Sequence, residues 1–388
     1  MRGPALNASR LRSQGGGVQQ NRATKATGVP APFLCCVVGL MACALGCGPR
    51  EIMKIDTGCG IASLGLLADE RYVLVANGDG AIGLWDLQSR QLVKPFPGST
   101  RCSARVAVSA DGKLAVCAGQ DGVSRLVAPE SEAVVFQVQS ESMGYMALSA
   151  DGRYLAVADY DETTCFFRIF DTATRRQVQR TPPAPSLSVW GVALSADGKR
   201  LAGVYINRVV VWDTATNRQL HDLPARFQAT NAVFSPDGRL LLVGDWQGVR
   251  VCEVDTGASR WMADGWWALD MAFSSDGRIA LAGGYDNTLI VWDTRTWAEL
   301  GRFGGGRQPL VLPGAKNSVS AVACTRDGRR AITGSTDGSI RVWDLAGVRA
   351  TLTPAGTTGT GSPVDSPPSS SAPSTQAAPA STNGARKP

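Results

Sequence analysis

The chain has 388 residues, of which 44% are hydrophobic and 19% charged, with 44 glycines and a formal net charge of +6. This composition suits one large, turn-rich domain with tails. It argues against nucleic-acid binding, because the excess positive charge lies outside the body of the chain. Arg2, Arg10, Arg12, Arg22, Lys25 and Arg50 face no acid in the first 50 residues, and Arg386 and Lys387 outweigh Asp365 in the tail. The remainder is close to neutral. With a single histidine, His221, and no Cys-x-x-Cys spacing among ten cysteines, a zinc site is not expected. Cys59, Cys102, Cys117, Cys165, Cys252 and Cys324 read as small buried apolar residues, with a few disulfides as the alternative if the domain is exported.

Residues 1–50 form a leader. Its first 32 residues are polar, and residues 33–48 (FLCCVVGLMACALGCG) are an apolar run too short for a comfortable membrane-spanning helix. A basic segment, a short apolar core and small residues before a cysteine read together as a secretory signal. Leu40-Met41-Ala42-Cys43 resembles a bacterial lipobox, and Ala44-Leu45-Gly46-Cys47 is a second, weaker match. The resemblance implies lipidation at Cys43, with Cys47 as the alternative. It implies a periplasm-facing lipoprotein of the bacterial cell envelope, held to the membrane by its lipid. No Asp follows Cys43, which favours the outer membrane. An uncleaved anchor, an ordinary signal and a cytoplasmic protein are the alternatives.

A pattern then recurs. Leading Asp residues at 69, 111, 151, 197, 237, 276 and 327 open seven copies spaced by 39 to 51 residues. Six of the seven are Asp-Gly, a turn signal because glycine takes positive φ freely while the Asp side chain bonds nearby amides. Four copies close on Trp-Asp (Trp85-Asp86, Trp212-Asp213, Trp292-Asp293, Trp343-Asp344), one on Phe170-Asp171, and two on Cys252-Glu253 and Val127-Ala128. Between these marks lie short alternating runs, as in residues 231–235, and none has convincing helical periodicity. In the last copy strands are expected at 319–324, 330–334 and 339–343. Two segments compete to supply its outer strand, 51–56 (EIMKID) and 348–352 (VRATL), and pairing the first with the last copy favours the former.

Count, period and ending together make residues 51–353 resemble the WD40 family. The resemblance implies an all-β fold, a seven-bladed propeller of four-stranded antiparallel blades. The family's Gly-His dipeptide is missing throughout, so its Asp-His-Ser/Thr-Trp network cannot form. The closing aromatics, Trp85, Phe170, Trp212, Trp292 and Trp343, are expected to pack between blades. Residues 181–187 and 304–315 are long links. The tail, 354–388, is Pro, Ser, Thr and Ala-rich and is expected to be disordered.

Catalytic chemistry is hard to find. Gly78-Asp79-Gly80-Ala81-Ile82-Gly83 matches a dinucleotide fingerprint, but falls in a turn between two strands rather than at a helix N-terminus. His221 is expected on an outer strand, far from the channel, which leaves no base for a nucleophile. Asp79, Asp121, Asp161, Asp286 and Asp337 recur at the second turn and are expected to bond their own turn amides rather than a metal. No cofactor, metal or catalytic residue is expected.

What remains is surface. The WD40 resemblance implies that partners contact the face carrying the second turns and the links entering each blade. Those positions hold Tyr160, Tyr205, Trp246 and Tyr285, an arc that Trp190 and the pair Trp266-Trp267 could extend. Packing on the neighbouring link is the competing expectation for each ring, and more strongly for the Trp pair. The reading is a monomeric, non-catalytic scaffold for protein partners. Its rivals are a propeller enzyme or small-ligand binder of quinone-cofactor or sugar-lactone type, and a cytosolic scaffold.

Overall fold

The computed structural model describes residues 50–95, 105–118, 122–131, 133–140, 144–161, 163–184, 188–304, 318–350 and 352. Residues 1–49 with Cys43 and Cys47, the tail, and Gln120 and Asp121 of the second repeat lie outside them, while Arg50 belongs to the first strand.

Twenty-eight strands form seven four-stranded antiparallel sheets. These are the blades of a propeller, in chain order residues 61–95, 105–139, 146–180, 189–224, 229–264, 268–304 and 319–344. The seventh blade has only three strands of its own. Its outer strand is Arg50–Asp56, paired antiparallel with Ser339–Asp344 in the register Ile55 to Ile340. The N-terminal segment thus closes the ring, as the sequence favours. The competing segment forms a single helical turn, Ala346–Ala350, which buries Val348, and Leu352 just beyond it is buried against the last two blades as well.

Each copy builds its turns from the same few residues. A Ser or Thr two places before the leading Asp donates its hydroxyl to that Asp and accepts the amide five residues on. Ser274 shows both bonds, at 2.6 Å to Asp276 Oδ1 and 3.0 Å from Ile279 N. Ser149, Ser195, Ser235 and Thr325 repeat the arrangement. In the first copy Leu67 takes this place, and Asp69 bonds only the amides of Arg71 and Tyr72.

The Asp of each Trp-Asp ending caps the third turn, as Asp86 does for Gln88 N and Asp293 for Arg295 N. Arg71 reaches Asp86 at 2.6 Å and holds its carboxyl well below the usual carboxylate range. Where Thr follows the Asp, its hydroxyl donates back to the carbonyl of the Asp-Gly turn: Thr172 to Gly152, Thr214 to Gly198, Thr294 to Gly277. These local bonds tie each blade's first and third turns together without a histidine.

The closing aromatics seal the blade interfaces. Trp292 is 1% exposed, and Phe170, Trp212 and Trp343 are also buried. Trp212 meets Phe167 of the preceding blade at 5.8 Å between ring centres. His221 lies on the outer strand Gln219–Pro224 with Nε2 2.6 Å from the Val254 carbonyl, as expected from its position in the repeat. The five described cysteines carry free thiols, three of them buried.

Candidate functional site

The innermost strands of the blades surround a central cavity of about 810 Å³. Its upper mouth is made by the second turns and by the links into each innermost strand. A backbone bond joins the two in most blades: Gly78 N to Gly60 O, Trp246 N to Gln228 O, Tyr285 N to Trp267 O, Thr336 N to Ser318 O. This pairing brings a turn side chain next to a link side chain.

In the sixth blade the paired residues are Tyr285 and Trp267, with ring centres 5.1 Å apart. Trp246 of the fifth blade stacks on the other side of Trp267 at 4.9 Å and 16°. Three rings from two blades therefore form one aromatic shelf at the mouth, with Trp246 36% exposed. Trp190 also lines the cavity and is 37% exposed. It occupies the position skipped by a β-bulge between Val189 and Gly191, which re-aims its side chain out of the ladder.

The expected arc is shorter than the sequence implies, because three of its rings are packing residues. Tyr205 is fully buried between the third and fourth blades, near Phe167 and Trp212. Burial and the neighbouring Cys165 thiol hold its phenol above the ordinary range. Tyr205 falls one place before the turn residues of the other blades: it pairs with Val189 as Gly284 pairs with Ala268, while the amide of Ile206 bonds the link carbonyl, so Tyr205 ends the strand Arg200–Tyr205 and faces the core. Tyr160 is half-buried, and its hydroxyl accepts the Val189 amide at 3.2 Å, tying it to the next blade's entry link. Trp266 is 7% exposed and donates Nε1 to Asp286 Oδ1 at 2.8 Å. Of the Trp pair, then, one ring packs and the other forms the shelf.

The second-turn acids bond their own turns: Asp79 accepts Ala81 N, Asp161 accepts Thr163 and Thr164, Asp286 accepts Thr288 N, and Asp337 accepts Ser339 N. Among the described residues no group of three or more His, Cys, Asp or Glu side chains has metal-binding geometry.

One set of residues was missed by sequence reasoning. Aligned on the Ser-x-Asp-Gly turns, the fourth residue before the Ser position is Ser63, Arg105, Tyr145, Gly191, Asn231, Asp270 and Ala321 in successive blades. The strand registers place these at one level. Ser63 faces Ala76, Arg105 faces Ala118, Asn231 faces Gly244 and Asp270 faces Gly283. All but Ala321 line the cavity. Polar residues at a fixed offset inside otherwise apolar strands were the available signal.

Asp270 ties three blades together at this level. Oδ1 accepts Asn231 Nδ2 of the fifth blade at 2.7 Å, and Oδ2 accepts Val322 N of the seventh at 2.7 Å. Burial in the channel wall pushes its carboxyl up to about 6, against the hydrogen bonds and Arg105, which pull the other way. Arg105, on the second blade, stacks on Tyr145 with its guanidinium carbon 4.5 Å from the ring centre.

The opposite end of the cavity is laced by Arg326. Its amide donates to the Glu70 carboxylate, its guanidinium to the Ala110 carbonyl, and its own carbonyl accepts the Ser275 hydroxyl. Those contacts link the sixth, seventh, first and second blades.

Comparison with known proteins agrees with this architecture. The family model described as "WD domain, G-beta repeat" matches residues 264–293 and 306–344. The chain is 23% identical over 317 residues to the guanine nucleotide-binding protein subunit beta of Arabidopsis thaliana, covering 75% of this chain and 82% of that protein. It is 25% identical over 230 residues to apoptotic protease-activating factor 1 of Rattus norvegicus, covering 55% of this chain but only 18% of that much longer protein. It is 29% identical over 168 residues to the angio-associated migratory cell protein of Homo sapiens, covering 41% of this chain and 36% of that one. The last two blades match the WD40 repeat, and the chain is a WD40-type seven-bladed propeller.

Proposed function

We propose that this propeller is a non-catalytic scaffold for protein partners, docking through the mouth that carries Trp190, Trp246, Trp267 and Tyr285. The observation that carries this reading is the three-ring shelf, in which Trp246 stacks on Trp267 and remains open to solvent. Tyr and Trp give large, rigid contact area at low rotamer cost and dominate binding hot spots. The resemblance to proteins named as subunits of a larger assembly supports the same reading. The test is capture from the native host with wild type, with Trp246→Ala and with Val178→Ala, a control on an exposed outer strand. The partner is expected with wild type and the control, and in clearly reduced amount with Trp246→Ala. Equal capture by all three would end the proposal.

Export and lipid anchoring at Cys43 belong to the same reading and rest on the leader sequence. Labelled palmitate is expected to enter the wild type and Cys47→Ser but not Cys43→Ser. Incorporation into wild type and Cys43→Ser but not Cys47→Ser would move the anchor to Cys47, and none in any form would remove it.

A further inference from the structure

We propose that the channel is also a small-molecule site, taking an organic carboxylate with a flat apolar body: the carboxylate on Arg105, the body on the aromatic shelf. The cavity of about 810 Å³ is within the range of small-molecule pockets, roughly 300–1,000 Å³. Both halves of the site line it. Arg105 and Tyr145 stand on the second and third blades, and Trp246, Trp267 and Tyr285 on the fifth and sixth, across the ring.

The charge on the ligand follows from which groups already have partners. Asp270 uses both oxygens on Asn231 and Val322, so its charge is committed to holding the wall. Arg105 is the reverse case. Its guanidinium carbon lies over the Tyr145 ring and its charge acts on Asp270, but it donates no hydrogen bond and makes no ion pair with any described residue. A guanidinium offers five N–H donors in a fork that matches a carboxylate bidentately. Binding an anion there adds charge-assisted bonds without breaking existing ones.

The shape of the ligand follows from the rest of the lining. Two residues deeper than the polar level the wall is made of one glycine, five alanines and Val233, which offer no hydrogen bond from a side chain. Side-chain hydrogen-bonding groups therefore lie at the Arg105 level and, beyond the apolar wall, around Arg326, while the extended apolar contact is at the shelf. A carboxylate joined to a planar ring satisfies both. A bulky polyhydroxylated ligand would leave its hydroxyls unbonded against the Ala-lined wall, at a cost for each buried polar group.

The test uses the purified full chain and two probes of nearly identical shape, phenylacetate and phenylacetamide. Binding is read by calorimetry and by tryptophan emission, since the probe ring would lie on Trp246 and Trp267. Phenylacetate is expected to bind saturably with a change in emission, phenylacetamide at least tenfold more weakly. Arg105→Gln is expected to bring phenylacetate down to the level of the amide. Equal affinity for acid and amide, no saturable binding by wild type, or unchanged phenylacetate binding by a folded Arg105→Gln would each overturn the proposal. The comparison of acid with amide needs only the wild type, so it decides even if the variant does not fold. It also needs no protein partner, so the scaffold reading and this one fail separately.

Discussion

Trp266 donates its indole Nε1 to Asp286 Oδ1 at 2.8 Å, and the ring fills the space above Gly284, where a Cβ would come within 2.1 Å of it. Its chain neighbour Trp267 instead lies between Trp246 and Tyr285 at the cavity mouth. Two adjacent residues of one type thus hold one blade together and present its surface.

Their substitutions are expected to separate cleanly. Trp266→Ala removes a buried ring and leaves Asp286 short of a donor, a loss of about 3–5 kcal/mol in denaturant unfolding. Trp246→Ala and Tyr285→Ala are expected to weaken partner capture by about 1–2 kcal/mol each with little change in melting temperature. If instead the shelf variants melt early and capture normally, the shelf is a packing feature.

Asp270 gives a pH signature. Its carboxyl is raised in the folded state from 3.8 to about 6, so the fold favours the protonated form. The stability from this group is fully present below the unfolded value and is lost as pH rises through the folded one, a change of about 2 kcal/mol between pH 4 and 6. Other carboxyls, such as Asp337 held down at about 2 by Ser339 and Arg341, work in the opposite sense at lower pH. The isolating measurement is the stability of wild type minus Asp270→Asn. This difference is expected to shrink as pH rises from 4 to 6, and a difference that stays flat with pH would show that Asp270 titrates normally.

The Ser-x-Asp turns are expected to matter most where they are most buried. Ser274 is fully buried, and its hydroxyl serves Asp276 and the Ile279 amide together. Ser274→Ala leaves that amide without its acceptor and is expected to cost about 1–3 kcal/mol in unfolding free energy. A neutral result would mean that water replaces the hydroxyl.

Closure is tested by truncation. Removing residues 1–56 takes away the whole outer strand of the last blade and bares the edge of Ser339–Asp344. Removing residues from Ala346 onward sacrifices the burial of Val348 and Leu352 and the ion pair of Arg349 with Asp276. The first deletion is expected to lower the melting temperature further and to promote association. The reverse order would place the weight of closure on the helical turn.

The repeat itself was legible because it rests on local chemistry: an Asp-Gly turn, a capping Asp and an aromatic at fixed offsets specify each blade without reference to its neighbours. The closing strand was legible for a topological reason, since residues 51–56 alternate and the seventh copy lacked a fourth strand. The face of an individual ring was not. Tyr205 and Tyr285 both stand beside a second turn, yet by strand register Tyr205 matches Gly284 and Ile206 matches Tyr285, and with the strand's two-residue period that one-place difference turns Tyr205 into the core. Tyr160 and Trp266 were lost to single hydrogen bonds with the Val189 amide and the Asp286 carboxylate, partners fixed only by the packing of whole blades. The level of Arg105, Asn231 and Asp270 was overlooked because each looks like an isolated polar residue until seven strands are set side by side.

The pairing of Arg50 with Asp344 also sets a timetable for the molecule. The strand that seals the ring is made first by the ribosome, and its partner is made last. Every intervening blade can form its own hairpins as it emerges, but Arg50–Asp56 must wait unpaired through the synthesis of all seven repeats. Such long-range pairing is slow to form and leaves strand edges open in the interval. A stalled or shortened chain is therefore left with two unpaired edges rather than one frayed end, and becomes a client for chaperones or proteases, while completing the last blade removes both edges in a single step.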